Sequence, residues 1–213
     1  MGSDSLVSAG KAPSGFQNAR KPEGPSTAAD DAHDDACELL RLFVAITFDN
    51  EVKDRLAAAR DALFLQAERG RRIERAQLHL TLAFLGAVET EGVFTIEDAL
   101  DEVTNPLANT LRFTRYGSFG TGRRGRGATW WAGIERNDAL AQLQGAVAKR
   151  LEKAGFPSDE KPWVAHVTLG RNVELSGPPC PFEPFDAHIS SLSLIESRAS
   201  ENGASYEEIC RWE

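Results

Sequence analysis

Cysteine, methionine and histidine are all scarce in this chain, with three, one and four copies among 213 residues. Cys37, Cys180 and Cys210 are odd in number and widely scattered. That argues against a disulfide framework, leaves no zinc-ligand spacing, and fits a reducing compartment. No apolar run approaches the length of a membrane span, and no apolar segment of the secretory kind follows the N-terminus. A soluble cytoplasmic protein with no membrane partner is therefore expected. Positive charge is also short: 24 Lys and Arg stand against 32 Asp and Glu, a formal net charge of −8. A surface of that sign does not grip long nucleic acid by its phosphates. A local cluster of cations can still take a small anion.

Large apolar residues are nearly absent from residues 1–38, which are rich in Gly, Ser, Ala, Pro and Asp. Such a stretch cannot bury enough surface to offset ordering entropy and is read as a disordered leader. Its acidic run around His33 is read as a solvated charge tract. Residues 39–213 form the expected folded domain. It opens on a β-rich run at 41–48, too apolar for an exposed surface. Asp49 or Asn50 then caps a helix over 51–69, with Leu56, Leu63 and Ala67 on one face and Gly70 as its stop. Strands are predicted at 78–85, 111–116, 128–134, 165–169, 188–196 and 204–212, the last two paired around Asn202-Gly203. Further helices are predicted from Thr90 or Glu91 to Val103, and from Asn137 or Asp138 to Ala154, the second with Leu140, Leu143, Val147 and Leu151 at helical spacing.

The glycine-rich run at 117–127 lacks the Gly-Lys-Ser/Thr ending of a phosphate loop and no helix follows it, so it reads as a hairpin connection. One of Arg123, Arg124 or Arg126 within it is a candidate for reaching a substrate phosphate. Trp130 and Trp131 read as core. The Pro-rich stretch 176–184 reads as a loop. Together the elements describe an α+β protein of two pseudo-twofold lobes with a groove between them.

Two of the four histidines stand in the same setting: Leu78-His79-Leu80-Thr81-Leu82 and Ala165-His166-Val167-Thr168-Leu169. In a strand, side chains at i and i+2 share a face, so His79 and Thr81 project together, as do His166 and Thr168. A single His-x-Thr pair is commonly structural; its duplication in a chain this poor in histidine points to one shared site. One neutral and one protonated imidazole can act as base and acid on opposite sides of a phosphorus. Threonine hydroxyls can donate to the non-bridging oxygens as charge develops. That is phosphoester chemistry needing no metal. Phe48, Phe84, Phe119 and Trp163 could stack on a nucleobase, but each reads as core, Phe84 especially because it lies two residues after Leu82.

The segments Arg41-Leu42-Phe43-Val44-Ala45-Ile46, His79-Leu80-Thr81-Leu82-Ala83-Phe84-Leu85-Gly86, Trp131-Ala132-Gly133, His166-Val167-Thr168-Leu169-Gly170-Arg171 and Leu194-Ile195-Glu196-Ser197-Arg198, followed by Tyr206, together resemble the bacterial RNA 2′,3′-cyclic phosphodiesterases. That family is also called the 2′-5′ RNA ligases, within the two-histidine phosphoesterase superfamily. The resemblance covers about residues 40–213. It implies a bilobal fold whose antiparallel sheets line a central cleft with helices outside. It also implies hydrolysis of a terminal ribose 2′,3′-cyclic phosphate to the 2′-phosphate, without cofactor or metal. By the motif, His79 is the proton donor to the departing 3′-oxygen and His166 the acceptor that activates water. Thr81 and Thr168 hold the phosphate, and Arg171 lies near it. The implied partner is a small RNA or nucleotide bearing a cyclic phosphate, and a monomer is expected. Reversible 2′-5′ ligation and a non-catalytic nucleotide-binding module remain alternatives on the same fold. A metallohydrolase built on the two histidines would need a third ligand, and none flanks either motif.

Overall fold

The computed structural model describes residues 38–103, 110–120, 127–157, 162–200 and 203–213. The leader up to residue 37, the Asn105-Pro106 break, Arg123, Arg124 and Arg126, and Asn202 lie outside these residues. The first strand, β1 (Leu39–Thr47), is buried on both faces from Leu42 onward, as its continuous apolar run requires. Helix α1 (Asn50–Phe64) begins where the Asp49 carboxylate accepts from the Val52 N–H at 2.8 Å. It is shorter than expected. After Phe64 the chain turns, and Ala67–Arg72 forms strand β2 against the strand that carries His166.

The sequence Ala-Glu-Arg favours a helix, but pairing overrides that weak preference. Arg69 grips Glu174 across the pair through Nε and a terminal nitrogen. Gly70 adopts a φ of 139° inside the strand, and a Cβ there would lie 2.7 Å from the Val173 Cα. It is a strand glycine and not a helix stop.

A short helical turn (Arg75–Gln77) leads to β3 (Leu80–Glu89), and α2 (Gly92–Asp101) follows. Then come β4 (Thr110–Phe119), β5 (Ala128–Ile134), α3 (Asp138–Lys153), β6 (His166–Leu175), β7 (Phe185–His188), β8 (Ser191–Ser200) and β9 (Gly203–Trp212). Helix α3 starts at an Asn137 cap on the Leu140 N–H and buries Leu140, Leu143, Val147 and Leu151, the predicted face. Strands β2 and β7 are the elements that periodicity does not reveal; β7 has only four residues.

All pairings are antiparallel, in the order β7-β4-β5-β6-β3-β1-β8-β9, with β2 beside β6. Among the described residues of this α+β fold, β3 and β6 pair at a single register position, Leu80↔Val167, the residues that follow the two histidines. Beyond that point β3 stays with β1, while β6 takes β2 along the same edge. The divergence opens a cleft at the seam. One continuous core, with Val44, Ile46, Leu80, Leu82, Val167 and Leu169 from the sheet, packs against residues of all three described helices. Each fully buried Leu or Ile contributes about 1.5–3 kcal/mol. The opposite face is left for the site. No described helix is long and apolar enough to cross a membrane.

Candidate active site

His79 immediately precedes the first paired residue of β3, and His166 is the first residue of β6, so the seam itself brings the histidines to one place. Both line a single cavity of about 650 Å³ together with Thr81, Thr168 and Arg171. The four residues of the paired motifs, and Arg171 from the family resemblance, therefore share one cleft. Each imidazole is held alike: His79 Nδ1 lies 2.7 Å from the Gln77 carbonyl and His166 Nδ1 lies 2.7 Å from the Val164 carbonyl. A carbonyl only accepts, so Nδ1 carries the hydrogen and Nε2 is the nitrogen left for chemistry.

The rings sit among aromatics. His79 packs on Phe43 at 4.9 Å and edge-on to Tyr206 at 5.3 Å. His166 meets Phe119 edge-on at 4.9 Å and Trp131 at 5.9 Å. Burial in these surroundings lowers the His79 pKa to about 4, and the charges of Arg171 and His166 push the same way. Burial is also the largest cause holding His166 below the ordinary histidine value, with Arg171 adding to it. The Gln77 and Val164 carbonyls oppose these effects by favouring a protonated ring.

Gly170 is explained by its neighbours. A Cβ there would lie 2.7 Å from the Phe64 ring and 2.8 Å from Val173, so glycine lets α1 close on β6 while Arg171 stands exposed at the cleft. No group of three or more His, Cys, Asp or Glu residues able to hold a metal occurs among the described residues.

Two aromatic expectations are overturned. Phe84 is 56% exposed and Phe119 41%, and both line the cavity. Strand β3 slips register against β1 on both sides of Phe43↔Phe84, and β4 slips against β5 between Phe113 and Arg115. A one-residue bulge turns every later side chain to the other face, so Phe84 and Phe119 face the cleft instead of the core. Phe48 is core as expected, packed on Phe113. Trp163 packs against the core as expected, and its indole N–H also donates to the Thr81 carbonyl at 3.0 Å. Periodicity also passed over the Gln77 and Val164 carbonyls. Main-chain acceptors leave no side-chain signal, although their shared place two residues before each histidine is one.

A family model described as the 2′-5′ RNA ligase superfamily matches residues 48–179. The RNA 2′,3′-cyclic phosphodiesterase of Archaeoglobus fulgidus is 33% identical over 133 residues, covering 62% of this chain and 72% of the relative. That of Thermotoga maritima is 26% identical over 188 residues, 82% of this chain and 96% of the relative. Among solved structures, Escherichia coli LigT in complex with 3′-AMP superposes with a TM-score of 0.70 at 26% identity, covering 82% of this chain and 98% of LigT.

Proposed function

The chain belongs to the 2′-5′ RNA ligase superfamily and is a phosphodiesterase of the cyclic-phosphate class; from that premise we propose that it opens the 2′,3′-cyclic phosphate at the end of an RNA or nucleotide, leaving a 2′-phosphomonoester. The observation that carries the reading is the pair of imidazoles in one cleft, each with Nδ1 tied to a carbonyl and Nε2 left for proton transfer. His166 takes a proton from water as its oxygen attacks phosphorus. The bond from phosphorus to the 3′-oxygen breaks on the far side, and His79 gives that oxygen its proton. One bond to phosphorus forms and one breaks, and the two imidazoles end with their protonation exchanged.

Thr81 and Thr168 donate to the non-bridging oxygens, and Arg171 balances the charge that builds on them. An anion in the cleft restores the proton that burial takes from His79. Held only while that anion is present, the proton is readily released. A nucleotide-binding module would have no use for two such proton carriers.

The test is turnover of a short RNA ending in a cyclic phosphate, followed by product analysis. H79A and H166A are each expected to lose at least about a hundredfold in kcat with unchanged circular dichroism, and activity should persist in excess chelator. Retention of more than about a hundredth of the rate in both variants, or loss with chelator, overturns the assignment.

A further inference from the structure

Nearly every described arginine is already committed. Arg60, Arg69, Arg75, Arg112 and Arg198, for example, bond carboxylates, and Arg115 bonds the Ile134 carbonyl. Arg71 is engaged as well, with its guanidinium against Gly203. Arg41 and Arg171 alone make no ion pair, hydrogen bond or ring contact among the described residues, and both line the catalytic cavity. Among the described residues no carboxylate lines that cavity, although the chain as a whole carries a net charge of −8. Guanidinium groups kept clear of carboxylates in so acidic a protein are placed for anions from outside.

The two arginines hold different positions. Arg171 lies close enough to influence both imidazoles, whereas Arg41 is not among the charges acting on either. Strand register gives the spacing. Ala45 of β1 lies opposite Thr81, and Arg41 lies opposite Ala87. Four residues of extended chain therefore separate Arg41 from the phosphate-holding threonine, roughly 13 Å along the sheet. Between them stand Phe43 and Phe84, paired across β1 and β3 with ring centroids 6.0 Å apart. By strand register the order is the imidazoles and threonines, then the two phenylalanines, then Arg41, with Arg171 near the imidazoles. A nucleotide has the same order of chemistry: cyclic phosphate, nucleoside, 5′-phosphate.

Building on the cyclic phosphodiesterase reading, we propose that Arg41 is a second phosphate site, which receives the phosphate on the 5′ side of the terminal nucleoside. That phosphate is either the backbone diester of a longer RNA or a terminal 5′-monoester. The chain thereby selects substrates with a second phosphate over cyclic mononucleotides that lack one.

The test compares kcat/KM for three substrates: a nucleoside 2′,3′-cyclic phosphate, the same compound bearing a 5′-phosphate, and a dinucleotide ending in the cyclic phosphate. Wild type is expected to favour the second, the third or both over the first by about tenfold or more, the scale of one charge-assisted contact. R41Q should bring the ratio close to one and R41K should retain much of it. Which of the two phosphate-bearing substrates is favoured identifies the monoester or the diester as the group recognised. Equal kcat/KM on all three by wild type overturns the proposal, as does a loss in R41Q that is uniform across substrates, the mark of a structural role. Absence of turnover on all three would overturn the function reading and this inference with it.

Discussion

The two histidines are set by equivalent contacts on equivalent strands, yet their neighbours make them unequal. Burial lowers both, His79 to about 4, and Arg171 pushes both further down because a nearby cation disfavours an imidazolium. The reaction needs one ring protonated and one neutral, so kcat/KM, which reports the free protein, should be bell-shaped with its alkaline limb below the ordinary histidine value of 6.5. Bound phosphate raises both rings, so the limbs of kcat should lie at higher pH. Removing the cation reverses its effect: R171Q should lower activity and move the alkaline limb of kcat/KM upward. Matched pH-rate profiles of the two proteins check this, and an unmoved limb would mean that Arg171 does not govern the rings. At this scale the sequence was informative. His79, Thr81, His166 and Thr168 were legible because side-chain chemistry repeated in a recognisable spacing. The carbonyls of Gln77 and Val164 were not, because any residue supplies one.

Elements with strong internal periodicity matched their predicted spans: α3 ends within a residue of expectation, and β5 runs over Ala128–Ile134 as read. The departures occur where pairing partners decide. Residues 67–69 left the predicted helix for β2 because β6 offered a ladder, and bulges in β3 and β4 moved Phe84 and Phe119 to the cleft face. A bulge depends on how two strands settle against each other, so neither strand's own sequence announces it. The α1–β6 contact belongs at this scale too. Gly170 faces Phe64 so closely that G170A must displace the helix or the strand. Overpacking of this kind costs about 1–3 kcal/mol. Urea unfolding should show that loss, accompanied by a lower kcat/KM because the shifted residue adjoins Arg171.

For the whole molecule the decisive contrast is between an acidic chain and a cleft with no carboxylate in its lining among the described residues. Repulsion from the acidic surface limits useful contacts to the phosphates inside the cleft. The salt dependence should therefore be shallow. With Arg41 and Arg171 each meeting one phosphate, log kcat/KM should fall against log salt with a slope of roughly −1.4 for a dinucleotide end. Lengthening the RNA should leave that slope unchanged, and a slope that steepens with length would reveal contacts outside the cleft. The amino-acid sequence by itself determined which residues make up the candidate site and most of the elements, since both are written in residue types at short spacing. Only the tertiary structure decided that the two motifs adjoin through Leu80↔Val167, which aromatics face the cleft, and which arginines stay uncommitted. Those properties depend on contacts between residues remote in the chain, and local periodicity carries no information about them.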